Sequence, residues 1–167
     1  VEPLLSGYTV GTGGDFLTLT GTGGLFERIN NGVLCGDISV TVISDLSEPG
    51  TVFLNPLVYE PTGSEFSLTI RPDGPTLRTI SGYYYGGGLI RLVGADHVIF
   101  DGRYNQSGHF LSIVNDEPYY GAALQLISFE NNKGATYNTV RNCILGCGGN
   151  GYQTYGVLIG GMSLASP

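Results

Sequence analysis

Charged residues are scarce in this chain, lysine is almost absent and tryptophan is missing altogether. Only 13% of the 167 residues are charged, Lys133 is the single lysine, and the formal net charge is −7. Nucleic-acid binding is not expected, because it needs a clustered basic surface that an acidic, lysine-poor chain does not supply. So few charges also argue against a helical bundle, whose outer faces are ordinarily charged.

Long apolar runs are absent and cysteines are few. No run approaches the ~20 residues needed to cross a bilayer, so membrane insertion is not expected. Cys143 and Cys147 could form a disulfide only if the chain turned between them, because four residues of strand span about 13 Å and a disulfide needs Cα atoms within ~7 Å. We interpret both, with Cys35, as small buried apolar side chains. No zinc site is predicted, since His97 and His109 do not lie at ligand spacing from the cysteines.

Glycine is abundant, and the apolar residues fall in short runs. The chain has 28 glycines among 167 residues. This is about 17% of the chain, well above the usual ~7%, and indicates many tight turns. The clearest example is the stretch 89–103, LIRLVGADHVIFDGR, in which two short apolar runs flank a Gly-Ala-Asp corner and Asp101-Gly102 closes the unit. Runs this short and this rich in β-branched and aromatic residues are typical of strands. We interpret the stretch as one coil of a parallel β-helix.

Similar strands recur along the rest of the chain, at 38–44, 51–58, 66–70, 109–115, 123–129, 138–145 and 155–161. Comparable ones begin near Ser39, Ser67, His97 and Asn138, at separations of 28, 30 and 41 residues. An irregular period of this length is typical of coils of three short strands joined by loops of variable length. The sequence therefore predicts an all-β fold, a right-handed parallel β-helix of about five coils. An antiparallel sandwich or jelly roll is the structural alternative.

One short helix is predicted before the first long strand. Within residues 22–31, Leu25, Phe26 and Ile29 fall on one helical face, and Thr22 is placed as the N-cap residue. Such a helix would cover the open end of the solenoid, where backbone groups are otherwise unpaired. We therefore divide the chain into an extended segment with a helical cap, residues 1–37, and β-helix coils, residues 38–167, in one domain.

Several of these segments together resemble a known family: YTVGTGGDFLTLT at the start, then ISVTVIS, FSLTIRPDG, the stretch 89–103 and ALQLISFENNKGATYNTVRNCIL. They are similar to the N-terminal region of large secreted, right-handed β-helix repeat proteins of Bacteroidota-type bacteria. The resemblance implies the pectin-lyase-like fold and a place in a surface or adhesin-like protein. It implies almost nothing about an activity.

The densest cluster of titratable residues is formed by Asp96, His97, Asp101 and Arg103, and His97, Asp101 and Arg103 are its candidate catalytic residues. A lyase on this fold would use a basic residue with calcium-binding carboxylates, and a hydrolase would use aspartates with a histidine. The arrangement is not persuasive, because Asp101-Gly102 reads most simply as a turn pair. We therefore expect no catalytic site, and we expect no cofactor, with calcium at acidic turns as the open alternative.

Tyrosine clusters are the stronger candidates for binding residues, since an exposed tyrosine offers a flat apolar face beside a hydroxyl group. This combination suits stacking on a sugar ring or contact with a protein. The alternative is that the rings pack on each other and shield a loop. The candidates are Tyr83, Tyr84, Tyr85, Tyr119 and Tyr120.

The composition favours an extracellular or cell-surface protein, because lysine is rare while Gly, Thr, Ser, Asn and Tyr are abundant.

No second amphipathic cap follows the last predicted strand. We therefore expect either continuation into further domains or self-association through the β-helix ends, with a glycan or a cell-surface protein as other partners. The expected function is a non-catalytic structural or adhesive module, and the alternatives are a carbohydrate-active enzyme or a glycan-binding module.

Overall fold

The protein is built almost entirely from short β-strands. The computed structural model describes residues 2–130, 133–149 and 153–160. Within these ranges the elements, in chain order, are β1 Glu2–Pro3, β2 Gly7–Val10, α1 Leu25–Asn30, β3 Gly32–Val33, β4 Ile38–Val42, β5 Leu46–Ser47, β6 Leu68–Pro72, β7 Arg78–Gly82, β8 Gly87–Val93, β9 Val98–Asp101, β10 Leu111–Asn115, β11 Tyr120–Ile127, β12 Thr139–Arg141, β13 Cys143–Cys147 and β14 Gln153–Ile159.

The strands form three long parallel sheets. The first sheet has the order β12-β9-β6-β4-β2, the second β13-β10-β7-β5 and the third β14-β11-β8, while β1 and β3 form a separate pair. Three consecutive strands, one in each sheet, make one turn, as β6, β7 and β8 do. This is a parallel β-solenoid of about five turns, which confirms the predicted fold class. An antiparallel sandwich is excluded, because all pairings between the named strands are parallel.

Apolar side chains stack from turn to turn inside the solenoid. Alternate residues of a strand point to the same side of a sheet, and the registers place Ile90, Leu124 and Val157 in one inward column. In the first sheet Ile70 stacks on Phe100, and both side chains are fully buried. Burial of such side chains stabilises the fold by roughly 1.5–3 kcal/mol each.

Polar side chains at the corners bind the neighbouring turn. The Asp37 carboxylate accepts a hydrogen bond from the backbone N–H of Ser67 at 2.7 Å, one turn further along. The Asn138 side chain accepts one from the backbone N–H of Val98 at 2.8 Å. These bonds satisfy backbone donors where the strands end and the sheet ladder no longer does so.

A helix covers part of the N-terminal end, as predicted. Leu25, Phe26 and Ile29 of α1 are buried and belong to the hydrophobic core. The predicted N-cap is wrong, because the helix begins after Gly24 and has no side-chain cap. Thr22 is not needed in that role: the first helical N–H groups, of Leu25 and Phe26, donate to the carbonyl oxygens of residues 18 and 19 at 3.0 and 2.9 Å.

The predicted strand at 51–58 is the clearest departure from the expected secondary structure. The segment is irregular, and it joins the third sheet only through a single bridge between Leu54 and Leu92. Leu54 donates its N–H to the carbonyl of Arg91 and accepts from the N–H of Val93. Pro56 has no N–H, so the ladder cannot continue past this point.

The stretch 89–103 also differs from its sequence interpretation. Its two strands, β8 and β9, are as predicted, but β8 closes one turn in the third sheet and β9 opens the next turn in the first sheet. Gly94, with φ +67°, makes the corner between them. The stretch is therefore a junction between two turns, and Asp101 is the last residue of a strand.

Candidate functional site

The predicted catalytic residues Asp101 and Arg103 lie together on the outer face of the first sheet. Arg103 donates from Nε and from a terminal nitrogen to the two Asp101 oxygens, each at 2.8 Å. Arg141, paired with Asp101 in the parallel register of the next turn, also donates to its carboxylate at 2.8 Å. Asp101 is thus shared by two guanidinium groups.

This pairing fixes the protonation state of Asp101. The hydrogen bonds from Arg103 and Arg141 outweigh its partial burial and hold the pKa of the Asp101 carboxyl far below its ordinary value. Such a carboxylate is ionised at neutral pH, so it cannot act as a general acid, and it is a weak base. The arrangement is suited to ion pairs that connect neighbouring turns on the protein surface.

His97, the third predicted catalytic residue, lies at the opposite end of β9. Four residues of strand separate it from Asp101, a span of about 13 Å. Its ring stacks on Tyr137 with centroids 5.1 Å apart, and Nε2 lies 3.9 Å from a Glu65 oxygen. The structure therefore does not bring His97 together with Asp101 and Arg103.

The predicted tyrosines meet at the corner between the second and third sheets, where β7 leads into β8 and β10 into β11. Tyr83, Tyr85 and Tyr119 expose 60%, 55% and 50% of their surface. Tyr85 and Tyr120 pack edge to face with ring centroids 5.8 Å apart. We call these four residues the tyrosine corner.

Tyr84 differs from its neighbours, because its ring lies 4.3 Å from the guanidinium carbon of Arg91. Arg91 is buried on β8, donates to the carbonyl of Gly50 at 2.6 Å, and also faces the Phe53 ring. The Tyr84 ring therefore covers a buried cation. Tyr84 itself is partly buried.

Two buried polar residues hold the tyrosine corner in place, and sequence reasoning missed both. The Asn115 side chain accepts from the backbone N–H of Tyr84 at 2.9 Å and donates to its carbonyl at 2.9 Å. The Glu117 carboxylate accepts from the backbone N–H of Tyr119 at 2.9 Å, and its interaction with the Tyr83 hydroxyl raises the Tyr83 pKa. Glu117 is fully buried, although it stands in a polar Asp-Glu-Pro sequence that gives no sign of burial.

The last turn exposes its inward side chains. Val157 and Ile159 of β14 stand in register with Leu124 and Leu126 of β11, which point to the core. Yet Val157 is 40% exposed and Ile159 80% exposed, whereas Leu124 is fully buried. Among the described residues, no strand pairs with the far edge of β12, β13 or β14. We call this surface the open end.

The cysteines are three free thiols within the described chain. Cys143 and Cys147 lie on one continuous strand, β13, so the chain does not turn between them. Burial raises the pKa of Cys143 to about 11 and also raises that of Cys147. Cys143 and Cys147 are thus only partly buried, and the expected burial is wrong for Cys35, which is exposed because it follows β3 outside any long sheet.

In the described ranges, His, Cys, Asp and Glu side chains form no group of three or more that could hold a metal ion. No helix in the same part of the chain is long and apolar enough to cross a membrane.

Compared with known proteins, the chain matches no family model, no curated protein and no solved structure.

Proposed function

We propose that this chain is a non-catalytic structural or adhesive module, and that two copies associate through the open end. The observation that supports this most directly is the exposure of Val157 and Ile159 at inward positions of the last turn. An unpaired strand edge beside exposed core residues is a favourable surface for a second chain.

The distribution of charge favours a second copy as the occupant. All 14 acidic residues precede residue 131, so the last turn carries no carboxylate. Two molecules with net charge −7 repel each other over most of their surfaces. Their open ends are the regions where contact brings no acidic side chains together.

The covered N-terminal end determines how the copies would meet. Residues of α1 occupy that end of the core, which leaves the open end to pair with another open end. Such a contact is isologous and closes as a two-fold dimer. A pair of this kind would link two modules back to back, whereas a filament would need a second free end.

Sedimentation velocity over a range of protein concentrations tests this proposal. We expect the wild type to dimerise and Val157→Lys to remain monomeric, because a charge at an inward position of the interface would be desolvated on pairing. Leu17→Lys is the matched control, since Leu17 is an exposed leucine near the N-terminal end. A wild type that stays monomeric at all concentrations, or a Val157→Lys variant that dimerises normally, would refute the proposal.

We further propose an extracellular or cell-surface location, in a pectin-lyase-like β-helix protein of the Bacteroidota type. The low charge, the single lysine and the confirmed solenoid support this assignment. Immunodetection on intact cells of the producing organism tests it. Detection only after cell lysis would contradict it.

A glycan-binding module is the second candidate function, and the tyrosine corner favours it. Tyr83, Tyr85 and Tyr119 are each at least half exposed, and Asn115 and Glu117 fix the backbone that carries them. Rings presented by a rigid backbone lose little entropy on stacking against a sugar.

A glycan array with wild type, Tyr85→Ala and Tyr137→Ala tests this second candidate. We expect Tyr85→Ala to lose binding and Tyr137→Ala, an exposed tyrosine outside the corner, to retain it. No binding by the wild type, or equal loss in both variants, would contradict it. A carbohydrate-active enzyme at His97, Asp101 and Arg103 stays the alternative prediction.

A further inference from the structure

A polar pocket of about 290 Å³ lies on the outer face of the first sheet. Thr41 of β4 and Arg71 of β6, which are register partners, contribute to its lining. Pro72 and Asp73 also line it, together with Arg103. The pocket therefore joins three successive turns of the solenoid.

A tight hairpin contributes further lining residues. Tyr104 and Ser107 exchange backbone hydrogen bonds of 3.0 and 3.1 Å, and the two residues between them, Asn105 and Gln106, have φ of +47° and +66°. Two consecutive positive φ values define a two-residue hairpin turn that holds its shape by its own backbone bonds. Tyr104 and Asn105 line the pocket from this turn.

The ion pairs around the pocket leave one arginine uncompensated. Asp73 receives two hydrogen bonds from Arg78, at 2.7 and 2.8 Å, and Asp101 is shared by Arg103 and Arg141. Arg71 makes no ion pair and no side-chain hydrogen bond with any residue in the described ranges. Of the two arginines that line the pocket, Arg71 is therefore the one without an acidic partner among the described residues.

From this arrangement we infer that the pocket binds a small hydroxylated monocarboxylate. The free guanidinium of Arg71 has the planar fork that matches a carboxylate. A hydroxyl group on Thr41 and an amide group on Asn105 are available for the hydroxyl groups of the ligand. A dianion fits less well. Asp73 lies beside Arg71 and Asp101 lies beside Arg103, and these two carboxylates would repel the second negative charge of the ligand.

Titration of the ¹⁵N-labelled protein with D-gluconate, followed by NMR, tests this inference. We expect saturable shifts of backbone amides near residues 71–73 and 103–105 with gluconate. Sorbitol, which replaces the carboxylate with a neutral alcohol, should produce none. Inorganic phosphate should bind more weakly than gluconate.

The variant Arg71→Gln should weaken gluconate binding roughly tenfold or more, because it removes a charge-assisted hydrogen bond. Arg71 is exposed, so the variant should fold, and its NMR spectrum reports this directly. The control Arg28→Gln, which changes an arginine paired with Glu2 away from the pocket, should bind like the wild type. No saturable shift, equal binding of sorbitol, tighter binding of phosphate, or normal binding by Arg71→Gln would each overturn the inference.

This inference goes beyond the proposed dimer and does not depend on it. The titration can be carried out on monomeric Val157→Lys protein. A failure of dimerisation therefore leaves the result of the titration unaffected.

Discussion

The two ends of the solenoid carry similar inward residues but bury them very differently. At the N-terminal end, Leu25 and Phe26 of α1 are completely buried. At the open end, Val157 and Ile159 occupy inward positions and are 40% and 80% exposed. Burial in a solenoid depends on the next layer, because each turn contacts only its neighbours. An inward position at an end is part of the core only when something covers it.

The covered end also contains a buried polar connection to the first full turn. Glu48, buried just after β5, accepts hydrogen bonds from the backbone N–H groups of Leu19 and Thr20, both at 2.7 Å. One carboxylate thus ties the segment that leads into α1 to the first full turn. The cap is fixed both by apolar packing and by charged hydrogen bonds.

The largest expected effect comes from truncating the covered end. We expect Phe26→Ala to lower the free energy of unfolding by about 3–5 kcal/mol, because it leaves a cavity under the cap. Val157→Ala should cost about 1 kcal/mol or less in the monomer, since part of that side chain is already in contact with water. Urea unfolding at low protein concentration measures both values.

The control for this comparison is Leu17→Ala, an exposed leucine near the covered end, whose effect should be within about 0.5 kcal/mol of zero. Similar losses for Phe26→Ala and Val157→Ala would show that the two ends are equally covered. That result would contradict the difference in burial between the covered end and the open end.

A smaller effect is expected from weakening the polar connection of the cap. Glu48→Gln should lower the free energy of unfolding by about 1–3 kcal/mol, because an NH2 group, which cannot accept, would replace one of the two oxygens that accept from the backbone donors. Thermal or urea unfolding measures the loss, and Glu60→Gln, at an exposed glutamate, is the control. An unchanged stability of Glu48→Gln would mean that apolar packing alone holds the cap.

The ion pairs of Asp101 link the last turn to the turn before it, and their effect should depend on pH. The pKa of Asp101 is lowered in the folded state, so its contribution is present above the unfolded pKa of about 3.9 and is lost as the pH falls below it. We expect Asp101→Asn to lose about 1–3 kcal/mol at pH 7 and to approach the wild type in acid.

Urea unfolding of both proteins at pH 7 and at successively lower pH checks this dependence. Asp116→Asn serves as the control, because Asp116 is exposed and its side chain makes no hydrogen bond or ion pair with a described residue. A constant difference between Asp101→Asn and the wild type across the pH range would contradict the expectation.

The smallest effect concerns thiol reactivity near the two ends. Cys35 is exposed, whereas burial raises the pKa of Cys143 to about 11. We therefore expect a thiol reagent at pH 8 to modify Cys35 first and Cys143 last in the folded protein, because the thiolate is the reactive form. Mass spectrometry after short exposures gives the order, and the protein unfolded in urea is the control.

The thiol experiment also reports on the open end. Cys143 and Cys147 are in register with inward positions of β10, on the strand that precedes β14. Dimerisation should slow their modification further and leave Cys35 unaffected. Equal modification rates at low and high protein concentration would argue against pairing at the open end.

The sequence predicted the repeating part of the fold well, because local patterns decide it. Short β-branched runs separated by glycine corners identify β4, β8, β9 and β10 without any knowledge of the neighbouring turns. The amphipathic pattern of Leu25, Phe26 and Ile29 identifies the helix in the same way. These features depend on residues a few positions apart, which the sequence displays directly.

The errors arose where a distant turn decides the local structure. Residues 51–58 resemble a strand, but Leu54 finds only one pairing position beside β8. The run 138–145 was predicted as one strand, and it divides at Asn142, whose φ of +52° makes the corner between β12 and β13. In both places the pairing partner lies a full turn away.

The candidate sites also divide into features that nearby residues decide and features that a neighbouring turn decides. Sequence alone identified the tyrosines and the group of Asp101 and Arg103, because these residues are close together along the chain. Only the tertiary structure separated Tyr84 from the exposed tyrosines, brought Arg71 beside Thr41, and buried Glu117. Residue composition and spacing determined that this chain forms a solenoid, whereas stacking of residues about 30 positions apart decided which side chains are buried, which are paired and which remain exposed.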